Sequence, residues 1–218
     1  MSRESRPIEA AHWKDLFAMR LIACTALATL VSFPALADEL EEEAVALFEA
    51  AYPEDQCWSY YESRPAPQRR EFTVEGGAEP ETVTTFEFTC ISAAYNVVKA
   101  VLLHTQIDGL RVQSFAYPAM DITYEGGSDV DAPAGPVETI EIVGYGTKSG
   151  VTTPVTDEET GQIVAEEKWR GIGDAGTSGT WTLTPGGYIL TGFEIDATYN
   201  GEIDPVTVLE GGEPVTSE

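Results

Sequence analysis

The residue types that carry out chemistry are unevenly supplied in this chain. Its 218 residues include 37 aspartates and glutamates but only two histidines and three cysteines. His12 lies near the start, which leaves His104 as the one histidine of the main body. A Ser–His–Asp triad would have to use it, and no G-x-S-x-G elbow exists to present a serine. A structural zinc site takes four ligands, more than one histidine and two mutually available cysteines supply. His104 reads instead as a strand-end histidine on one face with Val98, Ala100 and Leu102. The stretch from Gly171 to Gly179 lacks the Lys-Ser/Thr of a phosphate loop. Strand-like Trp181-Thr182-Leu183 follows where such a loop needs a helix. That stretch reads as a bend, and no cofactor motif occurs elsewhere.

Glycoside hydrolysis needs only two carboxyl groups at a suitable separation, so the abundance of acids leaves that chemistry open. Nothing in the sequence singles out one pair. Glu125, Asp129 and Asp131 come nearest to a calcium set, because hard cations take oxygen ligands, but the segment does not follow the EF-hand loop. Trp58, Tyr60 and Tyr61 form an aromatic set that reads either as a ligand-patch wall or as ordinary strand core.

The N-terminus bears on compartment. Arg20, an apolar run from Leu21, and Ala35-Leu36-Ala37 make the basic, apolar and small-residue regions of a signal peptide over residues 1–37. The apolar run is shorter than the roughly 20 residues of a membrane span. Met19 offers an alternative start. Cleavage between Ala37 and Asp38 would remove Cys24 and leave 181 residues, carrying 34 acids against 8 Lys and Arg. The expected product is periplasmic or secreted, with no membrane span. Cys57 and Cys90 then remain as a pair, and in an oxidising compartment they are expected to form a disulfide. A mature charge near −26 repels nucleic acid and favours a basic protein or a cation as partner.

These residues need a scaffold, and the hydrophobic pattern indicates one that is mainly β. A short helix is expected over 38–55: Asp38 and Glu41 resemble a capping box, Leu40, Ala44, Leu47 and Ala51 recur at helical spacing, and Pro53 ends it. The period then drops to two. Cys57 to Tyr61 reads as an aromatic strand, and Phe86, Phe88 and Cys90 alternate with Glu87 and Thr89. Residues 97–103 and 110–112 read as a hairpin about Asp108-Gly109. Phe193, Ile195, Ala197 and Tyr199 alternate with Glu194, Asp196 and Thr198. About ten short strands, without strand–helix–strand alternation, predict an antiparallel meander over 56–210 that forms a sandwich or open barrel. Residues 126–136 read as a long loop or subdomain boundary, and 211–218 as a frayed tail.

Two further elements carry a resemblance. Cys90-Ile91-Ser92-Ala93-Ala94-Tyr95-Asn96-Val97 is the first. Arg170-Gly171-Ile172-Gly173-Asp174-Ala175-Gly176, with Trp181 and Gly187-Tyr188-Ile189-Leu190 behind it, is the second. In this order and after a signal peptide, they resemble the bacterial exported family called domain of unknown function 1176, over residues 57–200. Ala175 departs from the pattern, since that family tends to have a cysteine there, and the cysteine framework is reduced to Cys57 and Cys90. The resemblance implies an exported β-protein and supplies no activity. The expected function is a non-enzymatic binding or shielding protein of the cell envelope. The rivals are a carboxylate-based cell-wall glycan hydrolase and an inhibitor of a basic hydrolase such as lysozyme.

Overall fold

The computed structural model of the chain describes residues 34–76, 79–126 and 135–215, with side chains from Glu39 onward. The chain divides into Met1–Asp38 and Glu39–Glu218, and the fold is that of the second unit. Helix α1, Pro34–Ala51, begins earlier than the pattern indicated. Proline is well tolerated in a first helical turn and Ala-Leu-Ala propagates one. Ala37 and Asp38 are therefore helical residues, and Asp38 is not the cap. The rest of the expected signal peptide, residues 1–33, lies outside the described residues. Among the described residues no helix is long and apolar enough to cross a membrane.

The expected strand at 57–61 is a second helix, α2, Trp58–Ser63. Strand geometry would put Trp58 and Tyr60 on one face, yet Trp58 is 42% exposed and Tyr60 only 2%. Helical turning lets Tyr60 enter the core while the Tyr61 hydroxyl donates to the carbonyls of Glu49 and Tyr52 at the end of α1. Those carbonyls would otherwise lack partners. Arg64, in the left-handed region at φ 44°, ends α2, and its N–H bonds the Tyr60 carbonyl.

Among the described residues thirteen strands follow, all paired antiparallel. The first sheet runs β1 (Gln68–Val74), β2 (Glu81–Ser92), β3 (Val97–Thr105) and β4 (Gly109–Val112) in order. Strands β5 (Phe115–Tyr124) and β6 (Val137–Lys148) form a separate hairpin. Tyr124 pairs with Val137 at the end of the hairpin, and residues 127–134, within the segment read as a loop or boundary, lie outside the described residues. Strand β7 (Val151–Thr152) joins the first sheet on β3. The second sheet is ordered β13-β12-β11-β10-β9-β8, from β8 (Pro154–Thr156), β9 (Ile163–Lys168), β10 (Gly176–Thr184), β11 (Gly187–Asp196), β12 (Val206–Glu210) and β13 (Glu213–Pro214). Residues 211–215 are not frayed: Gly211 and Gly212, both at positive φ, turn the chain so that β13 pairs β12.

Among the described residues, alternation along the strands divides the interior into three cores. Phe86, Phe88, Cys90, Ala100 and Leu102 of the first sheet meet Ala44, Phe48 and Tyr52 from the α1 segment and Tyr60 of α2. The opposite face of that sheet, with Phe72, Val83, Val101 and Leu103, stacks on Ile163, Trp181, Leu183 and Tyr188 of the second. The β5–β6 hairpin supplies Tyr124 and half-buried Met120, Ile122, Ile140 and Ile142 to cover Phe193, Ile195 and Leu209. The architecture is thus mainly β: two stacked antiparallel sheets with helices on one side, and no closed barrel among the described residues.

Glu87 corrects the simple alternation. It faces the space between the sheets and is buried, with Arg70 at 2.6 Å, Lys99 at 3.0 Å and the Thr156 hydroxyl at 2.7 Å. A carboxylate removed from water needs such partners.

Candidate functional site

The candidate site lies on the outer face of the second sheet, at the end where two loops rise beside it. Ser178 on β10 stands opposite Glu166 on β9 and Glu194 on β11, and Glu194 opposite Thr207 on β12. Directly opposed residues share a face, so these four make one row. The next row is Lys168, Gly176 and Asp196. Over the rows lies a cleft of about 260 Å³ whose lining includes Glu166, Lys168, Ser178 and Glu194, with Ile172 and Ile203 from the two loops.

Both loops are held by carboxylates. Arg170 donates through two nitrogens to Asp174, which also accepts the Gly201 N–H at 2.8 Å. Arg170 donates further to the Tyr199 carbonyl at 2.9 Å and lies 5.2 Å from the centre of its ring. The Arg170 guanidinium holds the Asp174 carboxyl below the usual aspartate range. In the second loop, Asp196 accepts from the Thr198 N–H, the Thr198 hydroxyl and the Asp204 N–H at 2.8–3.0 Å. Burial pushes that carboxyl up, but the hydrogen bonds outweigh it and the net shift is downward.

The same bonds end β11. The alternation expected through Tyr199 stops at Asp196, because its side chain offers the following backbone a turn in place of the strand ladder. Tyr199 is left-handed, with φ 53°.

A third tie comes from the other sheet. The Asn96 amide donates to the Lys168 carbonyl at 2.9 Å and accepts the Lys168 N–H at 3.1 Å. Tyr95 packs 3.7 Å from the place a side chain on Gly171 would occupy. The Tyr95-Asn96 and Arg170–Gly176 elements, distant in sequence, therefore meet at this site. The glycines between Gly171 and Gly179 act as a bend and as spacers. Gly173 has φ 75°, and a side chain on Gly179 would collide with the Trp181 indole.

Lys168 stands apart electrostatically. Residues 38–218 contain eight lysines and arginines. Arg64, Arg69, Arg70, Lys99, Arg111, Lys148 and Arg170 are each in an ion pair. Lys168 is the exception among the described residues.

The residues singled out from sequence are distributed elsewhere. Cys57 and Cys90 are joined in the disulfide. Trp58, Tyr60 and Tyr61 form no shared patch: Tyr60 is core, Tyr61 is half-buried with its hydroxyl bound to α1, and Trp58 is exposed. Asp129 and Asp131 lie outside the described residues, and Glu125 is exposed. His104 pairs with Thr84 and Leu110 in the first sheet, away from the cleft residues. Sequence reading did not find Glu166, Lys168 or Glu194 as a set, because cross-strand register brings them together. The available signal was indirect: Glu166 and Lys168 at alternating positions of one segment, and Glu194 and Asp196 at alternating positions of another, on either side of a serine-bearing strand. No protein-family model matches the chain, nor does any curated protein or solved structure.

Proposed function

We propose that the chain is an exported, acidic β-protein of the cell envelope that binds or shields a cationic partner through the outer face of its second sheet, without chemistry of its own. One observation carries the reading: the three most deeply buried carboxylates are already spent on the fold, while Glu166 and Glu194 in the open cleft are solvated. Glu87, Asp174 and Asp196 are buried and bonded to cations, backbone N–H groups or hydroxyls. Glu166 and Glu194 are exposed. Two strand spacings place their backbones roughly 10 Å apart, a span a glycosidase could use. Such an enzyme also needs a proton-donating acid set apart from water, whereas Glu166 and Glu194 are exposed and the third glutamate of the lining, Glu167, is held by Lys148 at 2.6 Å. The meeting of the Asn96 and Arg170 elements supports carrying forward the resemblance to the exported family of domain of unknown function 1176.

The test uses a purified cationic protein such as lysozyme and, separately, insoluble cell-wall glycan. Association with the cationic protein should be tight at low salt and weaken by at least about tenfold at physiological ionic strength. No glycan fragments should be released. Fragment release that Glu166→Gln or Glu194→Gln abolishes would replace the binding reading with the hydrolase.

A further inference from the structure

We infer that the cleft recognises a dipolar ligand, the C-terminal residue of a peptide ending in lysine or arginine, with its α-carboxylate on Lys168 and its basic head between Glu166 and Glu194. This rests on the binding reading above and specifies what that site selects. An acidic groove would by itself attract any cation. What narrows the ligand is the single unpaired ammonium in the groove wall.

Lys168 is placed rather than loose. Its backbone N–H and carbonyl are both held by Asn96. Its stem crosses Gly173, where a side chain would come within 3.4 Å of the lysine Cδ and Cε. That glycine, at φ 75°, leaves the stem its path. A chain so rich in acids that pairs every other described lysine and arginine leaves this one for an anion that arrives with the ligand. Glu166 sits two residues earlier on the same face of β9, about 7 Å along the strand. An extended lysine residue separates its α-carboxylate from its ammonium by roughly the same distance, given ordinary bond lengths. Between the two heads lies an aliphatic stem, and the cleft offers it Ile172 and Ile203, which are 71% and 76% exposed. Exposed isoleucines facing one cleft are a surface that gains from being covered.

The experiment titrates the purified protein at low salt with fluorescent hexapeptides, read by anisotropy. One ends in lysine with a free carboxylate, one is its C-terminal amide, and one ends in norleucine with a free carboxylate. The free-acid lysine peptide should bind at least about tenfold more tightly than either of the others. Lys168→Met should erase the acid-over-amide preference and Lys168→Arg should keep it. Glu166→Gln or Glu194→Gln should erase the lysine-over-norleucine preference. All four changes are at exposed positions, so melting curves should show the fold retained. If acid and amide bind equally, with the glutamates still required, the role of Lys168 is overturned and the binding reading stands. If lysozyme binds but no lysine peptide does, the cleft is not the site and the inference fails. If neither binds, both readings fail.

Discussion

Beneath the helices, Phe48 stacks on Phe88 at 4.1 Å between ring centres, meets Tyr60 edge-on at 4.6 Å, and stacks on Tyr52 at 5.0 Å. The disulfide and a hydrogen bond from the Ser92 N–H to the Ser59 hydroxyl lock the same corner. At the cleft, the loops 169–175 and 197–205 are ordered by Asp174 and Asp196, with two rings, Trp169 and Tyr199, 6.0 Å apart between them. One region is therefore held by water exclusion and a covalent link, the other by charge-assisted hydrogen bonds near solvent. The first resists salt and acid. The second answers to both, which suits a surface that engages a partner.

The contrast breaks most sharply on the helix side. Phe48→Ala removes a ring that is wholly buried, and should cost about 3–5 kcal/mol in denaturant unfolding. An effect under about 1 kcal/mol would mean the helices do not seal that core. Cys57→Ser combined with Cys90→Ser opens a link spanning 33 residues and should cost roughly 3–4 kcal/mol. Native-state hydrogen exchange should then show α1 and α2 losing protection before β11 does. Equal loss in both would show that the two regions unfold as one.

How much of this was legible beforehand differs between the two regions for a physical reason. The helix-side core shows in the sequence as local periodicity: Ala44 and Phe48 at helical spacing, Phe86 and Phe88 at strand spacing, and the cysteines Cys57 and Cys90. The start of α1 and the whole of α2 were misread, the latter because an aromatic run fits a strand or a short helix equally well until its hydroxyl partners are known. The cleft depends on which residues oppose which across four strands, and on three carboxylate- or amide-held loops. Neither is periodic. Asp174 and Asp196 look like any other surface acid in a chain with 37 of them.

Acid sharpens the comparison. Asp174 and Asp196 have folded pKa values below the ordinary aspartate value of 3.8, as does Asp157, whose carboxylate accepts from Thr160. A group depressed in this way contributes its full stability above pH 4–5 and loses it as pH falls through its folded value. Below about pH 4, fluorescence from Trp169 should change while the far-ultraviolet helix and strand signal persists. Simultaneous loss of both signals would mean the loops are not a separate, charge-held layer. The smallest effect belongs to Lys168→Met, an exposed cation with no ion pair. Its stability change should stay within about 0.5 kcal/mol, with a melting temperature close to that of the parent.

The Glu87 clamp has a consequence for assembly. Its carboxylate touches Arg70 on β1, Lys99 on β3 and Thr156 on β8, so one side chain checks the alignment of three strands. A slip of one residue in either pairing of β2 would turn every side chain of the slipped strand to the opposite face. Were β2 the strand that slipped, Glu87 would land among the aromatic rings under the helices, without a cation, while Phe86 and Phe88 would face Arg70 and Lys99. The hydrophobic pattern tolerates several alignments of flat strands. The clamp accepts one, and it works as a proofreading device for the register of the first sheet, from which Asn96 reaches Lys168 at the cleft.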